Sequence, residues 1–351
     1  MSTEFGEENR VKFIKKLKNS INKRVDRIKL EQAGKKNKNV DFTCLELLSD
    51  DIKVHITPEI YIHNDFYFNA LTLKKYAGLK ENYSIKASIE HGSGYSNSLW
   101  EQDINAPFSS IIVASEHRKT LYEKAGINKN IYKIGPFAHY AKPSISEGRI
   151  LKEKRRLGKN VLFFPAHSTH WLDSNYNTNK TIKTLKEKTK DFDSVRISLY
   201  WKDILRGIAK PYLEAGFECV TSGHIYDRYF LPRHRALIEI SDITMSNDQG
   251  SHIANSLALG KPHYLFKEDV EYSTEHTHFQ NEIEDIYELQ NDHIIDKMHE
   301  IFGDLSFEIN DKQKEFGNYY YGLNELKTPK DMRAILLEIE ENYRKISYEL
   351  T

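Results

Sequence analysis

Two series of short strands alternating with helices, separated by a charged stretch without strand character, predict a two-domain α/β protein with mostly parallel sheets. Apolar runs of strand length, bounded by turn residues, recur between helical stretches from residue 40 to residue 266. Connections of that kind imply right-handed crossovers and sheets covered on both faces. The length of 351 residues leaves room for about two domains at roughly 150 residues each. The domains are expected at 40–150 and 151–310. A basic amphipathic helix and linker at 1–39 precede them, and helices at 311–351 pack back across both.

In order along the chain, residues 10–38 are rich in Lys and Arg, and Ile14, Leu17, Ile21, Val25 and Ile28 fall on one helical stripe. The commoner arrangement packs such a stripe on the neighbouring domain, while a basic amphipathic helix can also lie on an anionic membrane surface. Residues 34–39 read as a polar linker. Strand segments follow at 42–48, 54–57 and 61–64, then a helix over 68–76 ending near Gly78, and a strand over 83–89 running into Glu90 and His91. Residues 110–114 form a buried strand. Ser115 caps a helix that Gly126 stops, and residues 131–134 lead into the turn at Gly135 and Pro136. The charged run 149–159 marks the domain boundary.

The second series predicts strands at 161–164, 195–200, 218–221, 243–245 and 264–266, with helices at 181–190, 202–215 and 231–240. One more helix begins at Ser251, capped by that serine, and ends at Gly260 before Pro262. The tail is helical, with an aromatic cluster at Phe316, Tyr319, Tyr320 and Tyr321 and a closing helix over 330–348.

Composition excludes several classes. The 51 Lys and Arg balance 51 Asp and Glu, which argues against nucleic acid as the main partner. Mean hydropathy is −0.64, no apolar run approaches the ~20 residues of a membrane span, and the N-terminus has no signal-peptide core. A cytoplasmic location is expected, with peripheral contact at the inner membrane through the N-terminal helix. Cys44 and Cys219 lie far apart in apolar contexts, as buried thiols do. Phosphate-binding P-loops, Gly-x-Gly-x-x-Gly turns and Gly-x-Ser-x-Gly elbows are absent, which weakens ATPase, dinucleotide oxidoreductase and hydrolase readings.

Polar loops at the carboxyl ends of strands are the places where open parallel sheets bind ligands. Four stand out. Glu90 and His91, followed by Gly92 and Ser93, offer a general base or an acceptor-holding loop. His167, Ser168, Thr169 and His170 offer donors to a diphosphate or a sugar; no metal-ligand spacing accompanies the two histidines. Ser222 and Gly223 sit where a nucleotide base can be contacted. Ser246, Asn247, Gly250, Ser251 and His252 surround a helix N-terminus, whose N–H groups and dipole favour an anion. Arg228, Arg233, His234 and Arg235 add positive charge upstream, and Lys267, Glu268 and Asp269 follow the fifth strand, where a carboxylate can accept from ribose hydroxyls.

The loop Phe163-Phe-Pro-Ala-His-Ser-Thr-His170, together with Ile240-Ser-Asp-Ile-Thr-Met-Ser-Asn247 continuing through Ala258-Leu-Gly-Lys-Pro262, resembles the donor-binding domain of GT-B glycosyltransferases. The likeness points most to bacterial capsule and lipopolysaccharide transferases and to CDP-glycerol glycerophosphotransferase-like enzymes. The Glu90-His91-Gly92 loop is similar to the one that carries the acceptor-side base in that family. The resemblance implies two Rossmann-like domains whose parallel sheets face a central cleft. It also implies transfer of a sugar from a nucleotide-activated donor to a saccharide or lipid-linked acceptor in surface polysaccharide synthesis. Glu90 is the preferred base over His91. Transfer would invert the anomeric carbon and proceed without a metal or other cofactor, the nucleotide-sugar being a substrate. A glycerol-phosphate transferase or a nucleotide-sugar epimerase on the same scaffold, and a non-enzymatic two-domain binding protein, are the alternatives.

Overall fold

The computed structural model describes residues 2–54, 63–91, 94–169, 172–275 and 293–349. Gly92, Ser93 and His170, and the expected strand over 54–57 beyond its first residue, lie outside them. The chain opens with α1 (Ser2–Asn37) and a single turn, α2 (Leu45–Leu48). After a 3-10 turn (His63–Phe68) come α3 (Asn69–Tyr76), β1 (Ser88–Ile89), α4 (Glu101–Ile104), β2 (Ser110–Val113), α5 (Glu116–Lys124) and β3 (Asn130–Lys133). The three strands are parallel in the order β1-β2-β3, with Ser88 opposite Ile111 and Ile111 opposite Ile131. Strand β2 is buried along its whole length, as its unbroken apolar run requires. Ser115 caps α5 by accepting from the Arg118 N–H at 3.3 Å.

The second series contributes α6 (Glu147–Leu157), β4 (Asn160–Phe164), β5 (Asp173–Asn175), α7 (Thr178–Lys188), β6 (Ser194–Leu199), α8 (Trp201–Leu205), α9 (Ala209–Glu214) and β7 (Glu218–Thr221). It continues with α10 (Phe230–Ile240), β8 (Ile243–Ser246), α11 (Ser251–Ala258), β9 (His263–Leu265) and β10 (Glu271–Ser273). The five-stranded sheet is parallel throughout, in the order β7-β6-β4-β8-β9. The chain winds outward from β4 to β7, then crosses back to β8 on the other side of β4. The loops after β4 and β8 therefore leave in opposite directions and open a crevice at the carboxyl edge. Strands β5 and β10 form a separate antiparallel ribbon.

The tail consists of α12 (His293–Phe302), α13 (Asp311–Phe316), a π-helical turn (Gly317–Tyr321) and α14 (Pro329–Glu349). Met332, Leu336 and Ile339 of α14 pack against Leu73, Ala87 and Ile89, and Leu231 of α10 joins the same cluster. Elements of the second series thus share a core with the first sheet.

Three local expectations differ. Residues 42–48 are not a strand of the first sheet. The Thr221 N–H donates to the Phe42 carbonyl at 2.9 Å, and Phe42 packs with Leu162, Val220 and Leu237. The apolar residues there find their core at the edge of the second sheet. The helix expected over 202–215 breaks at Gly207, whose φ of +80° leaves the right-handed region, giving α8 and α9. Finally, the apolar stripe of α1 does not pack on the first domain: Ile14, Leu17, Ile21, Val25 and Ile28 are 38–55% exposed. The face of α1 that docks carries Leu30, against Ile225 and Tyr226, and Asn37.

That docking centres on a buried ion pair. The Arg233 guanidinium donates to Asp227 Oδ2 at 2.9 and 3.0 Å and to the Asn37 carbonyl at 3.1 Å, while Asn37 Nδ2 donates to Asp227 Oδ2 at 2.8 Å. Both charges are out of water, with side chains 2% and 0% exposed. Removing one partner strands the other, so Asp227→Ala is expected to cost about 3–5 kcal/mol in urea unfolding, and the double change Asp227→Leu with Arg233→Met less than that.

Candidate functional site

The crevice at the switch of strand order holds a narrow cavity of about 80 Å³. Phe164, Pro165 and His167 enter it from the end of β4, Ser198 and Tyr200 from the end of β6, and Ser222 from the end of β7. Ser251, His252 and Asn255 line it from α11, and Phe230 and His234 from α10. Tyr67, Asn69 and Phe137 of the first series close the opposite wall. Both halves of the chain therefore build the site, and its lining among the described residues includes no Lys or Arg.

Five of the expected residues meet here: His167, Ser222, His234, Ser251 and His252, although burial keeps His234 from adding the positive charge expected of it. Gly250, rather than Ser251, is the N-cap of α11, and it makes no side-chain cap bond. Serine at the first helical position is free to face the cavity. A Cβ on Gly250 would stand 2.8 Å from the His252 ring, so the glycine lets that ring fold back over the helix start. His252 is 7% exposed, stacks on Phe164 at 5.0 Å between centroids, and among the described residues has no hydrogen-bond partner for Nε2. A polar atom buried without a partner is costly, and this one belongs to the second residue of a helix whose start lines a cavity.

The histidines of the site differ in what holds them. Burial drives His252 well below the ordinary imidazole range, with His263, His167 and His234 adding in the same direction. Burial alone lowers His234 to about 4. Its ring lies 3.3 Å from Asn255 Nδ2 and 3.4 Å from Ser222 Oγ. With Nε2 accepting from the asparagine, Nδ1 is the donor to the serine. Asn255 Oδ1 accepts from the Ala138 N–H of the first series at 3.2 Å, so this chain ties the cavity wall to the other half. His167 Nδ1 lies 2.8 Å from the Ser168 carbonyl. A carbonyl only accepts, so Nδ1 carries the proton and Nε2 of the neutral ring keeps its lone pair.

The remaining expected residues serve the loops instead. Ser168 is fully buried; its hydroxyl donates to Asp203 Oδ1 at 2.6 Å and accepts from Arg206 Nη1 at 2.8 Å. Thr169 closes a turn with Leu172. Gly223 has φ +92°, and a Cβ there would meet Arg233 Nη1 at 2.8 Å, so its role is conformational. The Ser246 hydroxyl donates to the Asp248 carbonyl at 2.8 Å and lies 2.9 Å from His263 Nε2. Asn247 braces the crevice: Oδ1 accepts from the Ala166 N–H at 2.7 Å, and Nδ2 donates to Glu268 Oε2 at 2.6 Å. Glu268 is thereby engaged with Asn247 and Thr181. Arg228 pairs with Glu81, Arg233 with Asp227, and Arg235 with Glu239 and the His139 and Ala141 carbonyls.

Glu90 and His91 stand outside the cavity lining. Glu90 is 4% exposed, and its Oε1 accepts from Arg118 Nε at 2.8 Å, with Nη2 at 2.6 Å. Burial raises its carboxyl despite the opposing pull of Arg118. His91 stacks on Tyr67 at 5.3 Å, so it backs a ring that does line the cavity. Ser198, Tyr200, Tyr67 and Asn255 escaped the sequence reading. The first two end a strand and obey the same rule as the loops chosen, but no cluster of polar residues marks them. Among the described residues no group of three or more His, Cys, Asp or Glu is placed to hold a metal ion.

No family model and no curated protein matches the chain. Among solved structures it is similar to the UDP-GlcNAc 2-epimerase from Neisseria meningitidis bound to UDP-GlcNAc, with 16% identity and a TM-score of 0.36 over 74% of this chain and 69% of that one. It is also similar to Phytolacca americana UGT2 complexed with UDP-2fluoro-glucose and pterostilbene, with 11% identity and a TM-score of 0.28 over 69% of this chain and 50% of that one. Likenesses this loose do not bear on the reaction of this chain.

The buried imidazoles make stability depend on pH. Unfolded histidines take up a proton near 6.5, whereas folded His234 and His263 do so only at about 4 and about 3. Their contribution is therefore complete above pH 6.5 and is lost as the pH falls from 6.5 toward 4, on the order of 3 kcal/mol for each ring. Urea midpoints measured across that interval are expected to fall steeply, and less steeply for His263→Gln.

Proposed function

We propose that the protein is a glycosyltransferase of GT-B type that takes a sugar from a nucleotide-activated donor and passes it to a saccharide or lipid-linked acceptor of surface polysaccharide. The observation that carries this reading is the buried Nε2 of His252, which has no partner among the described residues, at the N-terminus of α11 in a cavity walled by both halves of the chain. Departing nucleotide phosphate needs preorganised donors in a site shielded from water. The first-turn N–H groups of α11 and its dipole meet that need, with Ser251 beside them. Burial disfavours the charged form of His252; a phosphate next to Nε2 offsets that penalty and draws a proton on.

In this reading His167 is the base that faces the acceptor. Its Nδ1–H is held by the Ser168 carbonyl, and Nε2 takes the acceptor hydroxyl proton. The acceptor oxygen bonds to the anomeric carbon as the bond from that carbon to the donor phosphate oxygen breaks, and the nucleotide leaves with the electron pair. A single displacement of this kind inverts the anomeric centre, and no metal is drawn on. Glu90, held by Arg118, and His91, behind Tyr67, act as positioning residues for the wall opposite.

Nucleotide binding is expected to raise the melting temperature, and calorimetry in buffers of different ionisation enthalpy should show net proton uptake near pH 7 that disappears in His252→Ala. His252→Ala should weaken nucleoside diphosphate binding about tenfold or more. His167→Ala should leave that affinity within about twofold and lower transfer by about 10²–10⁴. A panel of nucleotides none of which stabilises the protein would overturn the enzyme reading; unchanged affinity in His252→Ala would overturn the phosphate site alone.

A further inference from the structure

Helix α1 presents two faces with opposite fates. Asp26, Leu30, Gly34 and Asn37 lie on one side; Asp26 is 5% exposed, Leu30 packs on Ile225 and Tyr226, and a Cβ on Gly34 would stand 2.6 Å from Arg228 Cδ. On the other side Ile14, Leu17, Ile21, Val25 and Ile28 recur at spacings of three and four and are 54%, 52%, 55%, 38% and 45% exposed. At 100° per residue these five fall within a sector of about 80°. Exposed Lys18 borders that sector on one edge and exposed Arg24 and Lys35 on the other.

Charge is distributed with the same asymmetry. Residues 10–38 hold twelve Lys and Arg against two Asp and Glu, although the whole chain is balanced at 51 of each. The rest of the molecule is accordingly acidic. An aliphatic stripe edged by cations, on a helix whose opposite face docks over residues 26–37, has the build of an interfacial helix. Two such helices side by side would bring two strongly basic runs together, which repulsion opposes. No described helix is long and apolar enough to cross a membrane, so contact through α1 would be peripheral.

We infer that α1 docks the protein on an anionic lipid surface, inserting the stripe from Ile14 to Ile28 with the flanking cations among the headgroups, and the acidic body turned away. The inference stands apart from the proposed reaction and does not need it. Full-length protein sedimented with vesicles of phosphatidylcholine and phosphatidylserine should bind about tenfold or more in excess of binding to phosphatidylcholine alone, and less at 0.5 M than at ~0.1 M salt. Leu17→Glu with Ile21→Glu should abolish binding at an unchanged melting temperature, since both side chains are exposed. Lys18→Glu with Arg24→Glu should weaken it on the anionic vesicles only. Equal binding to both vesicles, binding to neither, or a dimer in light scattering that the Leu17→Glu and Ile21→Glu changes dissociate would each overturn the inference.

Discussion

The position of β4 at the centre of its sheet is the constraint on which the site depends. Because β6 lies on one side of it and β8 on the other, the chain must leave β4 and β8 in diverging directions, and the space between cannot be filled by either connection. Divergent loops are held rather than left loose. Asn247 links the Ala166 N–H to Glu268, and Ser168 is fixed by Asp203 and Arg206, so the backbone on both rims is tied down. His167 emerges from that fixed backbone, which is how one exposed-edge loop can hold a ring in a defined orientation.

Among the described residues the wall of the proposed anion site contains no Lys or Arg. The arginines nearest in sequence are neutralised by Glu81, Asp227 and Glu239. What remains is the helix start, hydroxyls, and the imidazoles of His234 and His252, whose charged forms burial disfavours. Such a site carries no standing charge that must be desolvated when empty, and it gains positive charge only when an anion enters. The opposite wall sets the Tyr67 ring and Phe137 beside Asn69, whose Oδ1 is buried without a partner among the described residues. The Ala138–Asn255 bond and the packing of Leu231 with α14 tie the halves together around it.

Much of this was legible in the sequence, because periodicity and turn chemistry are local. The strand at 218–221 and the helix starting near Leu231 fall almost where the apolar pattern puts them, and Gly260, with φ +70°, ends α11 as expected. The loop after β8 was visible as a cluster of small polar residues. What that pattern could not show was which of them point inward: Ser246 and Asn247 find partners 17 and 21 residues away in His263 and Glu268. Glu90 looked like an exposed acid in a glycine-rich loop because Arg118, 28 residues on, is invisible to a local reading. The α1 stripe misled in the other direction, since periodicity reports an apolar face without saying whether anything covers it.

The central claim is that the cavity between β4 and α11 holds the phosphates of a nucleotide donor. A crystal structure of the chain with a nucleoside diphosphate tests it most directly. The diphosphate is expected within hydrogen-bonding distance of His252 Nε2 and the first-turn N–H groups of α11, with His167 Nε2 facing the open side. A nucleotide bound elsewhere with this cavity unfilled would contradict it.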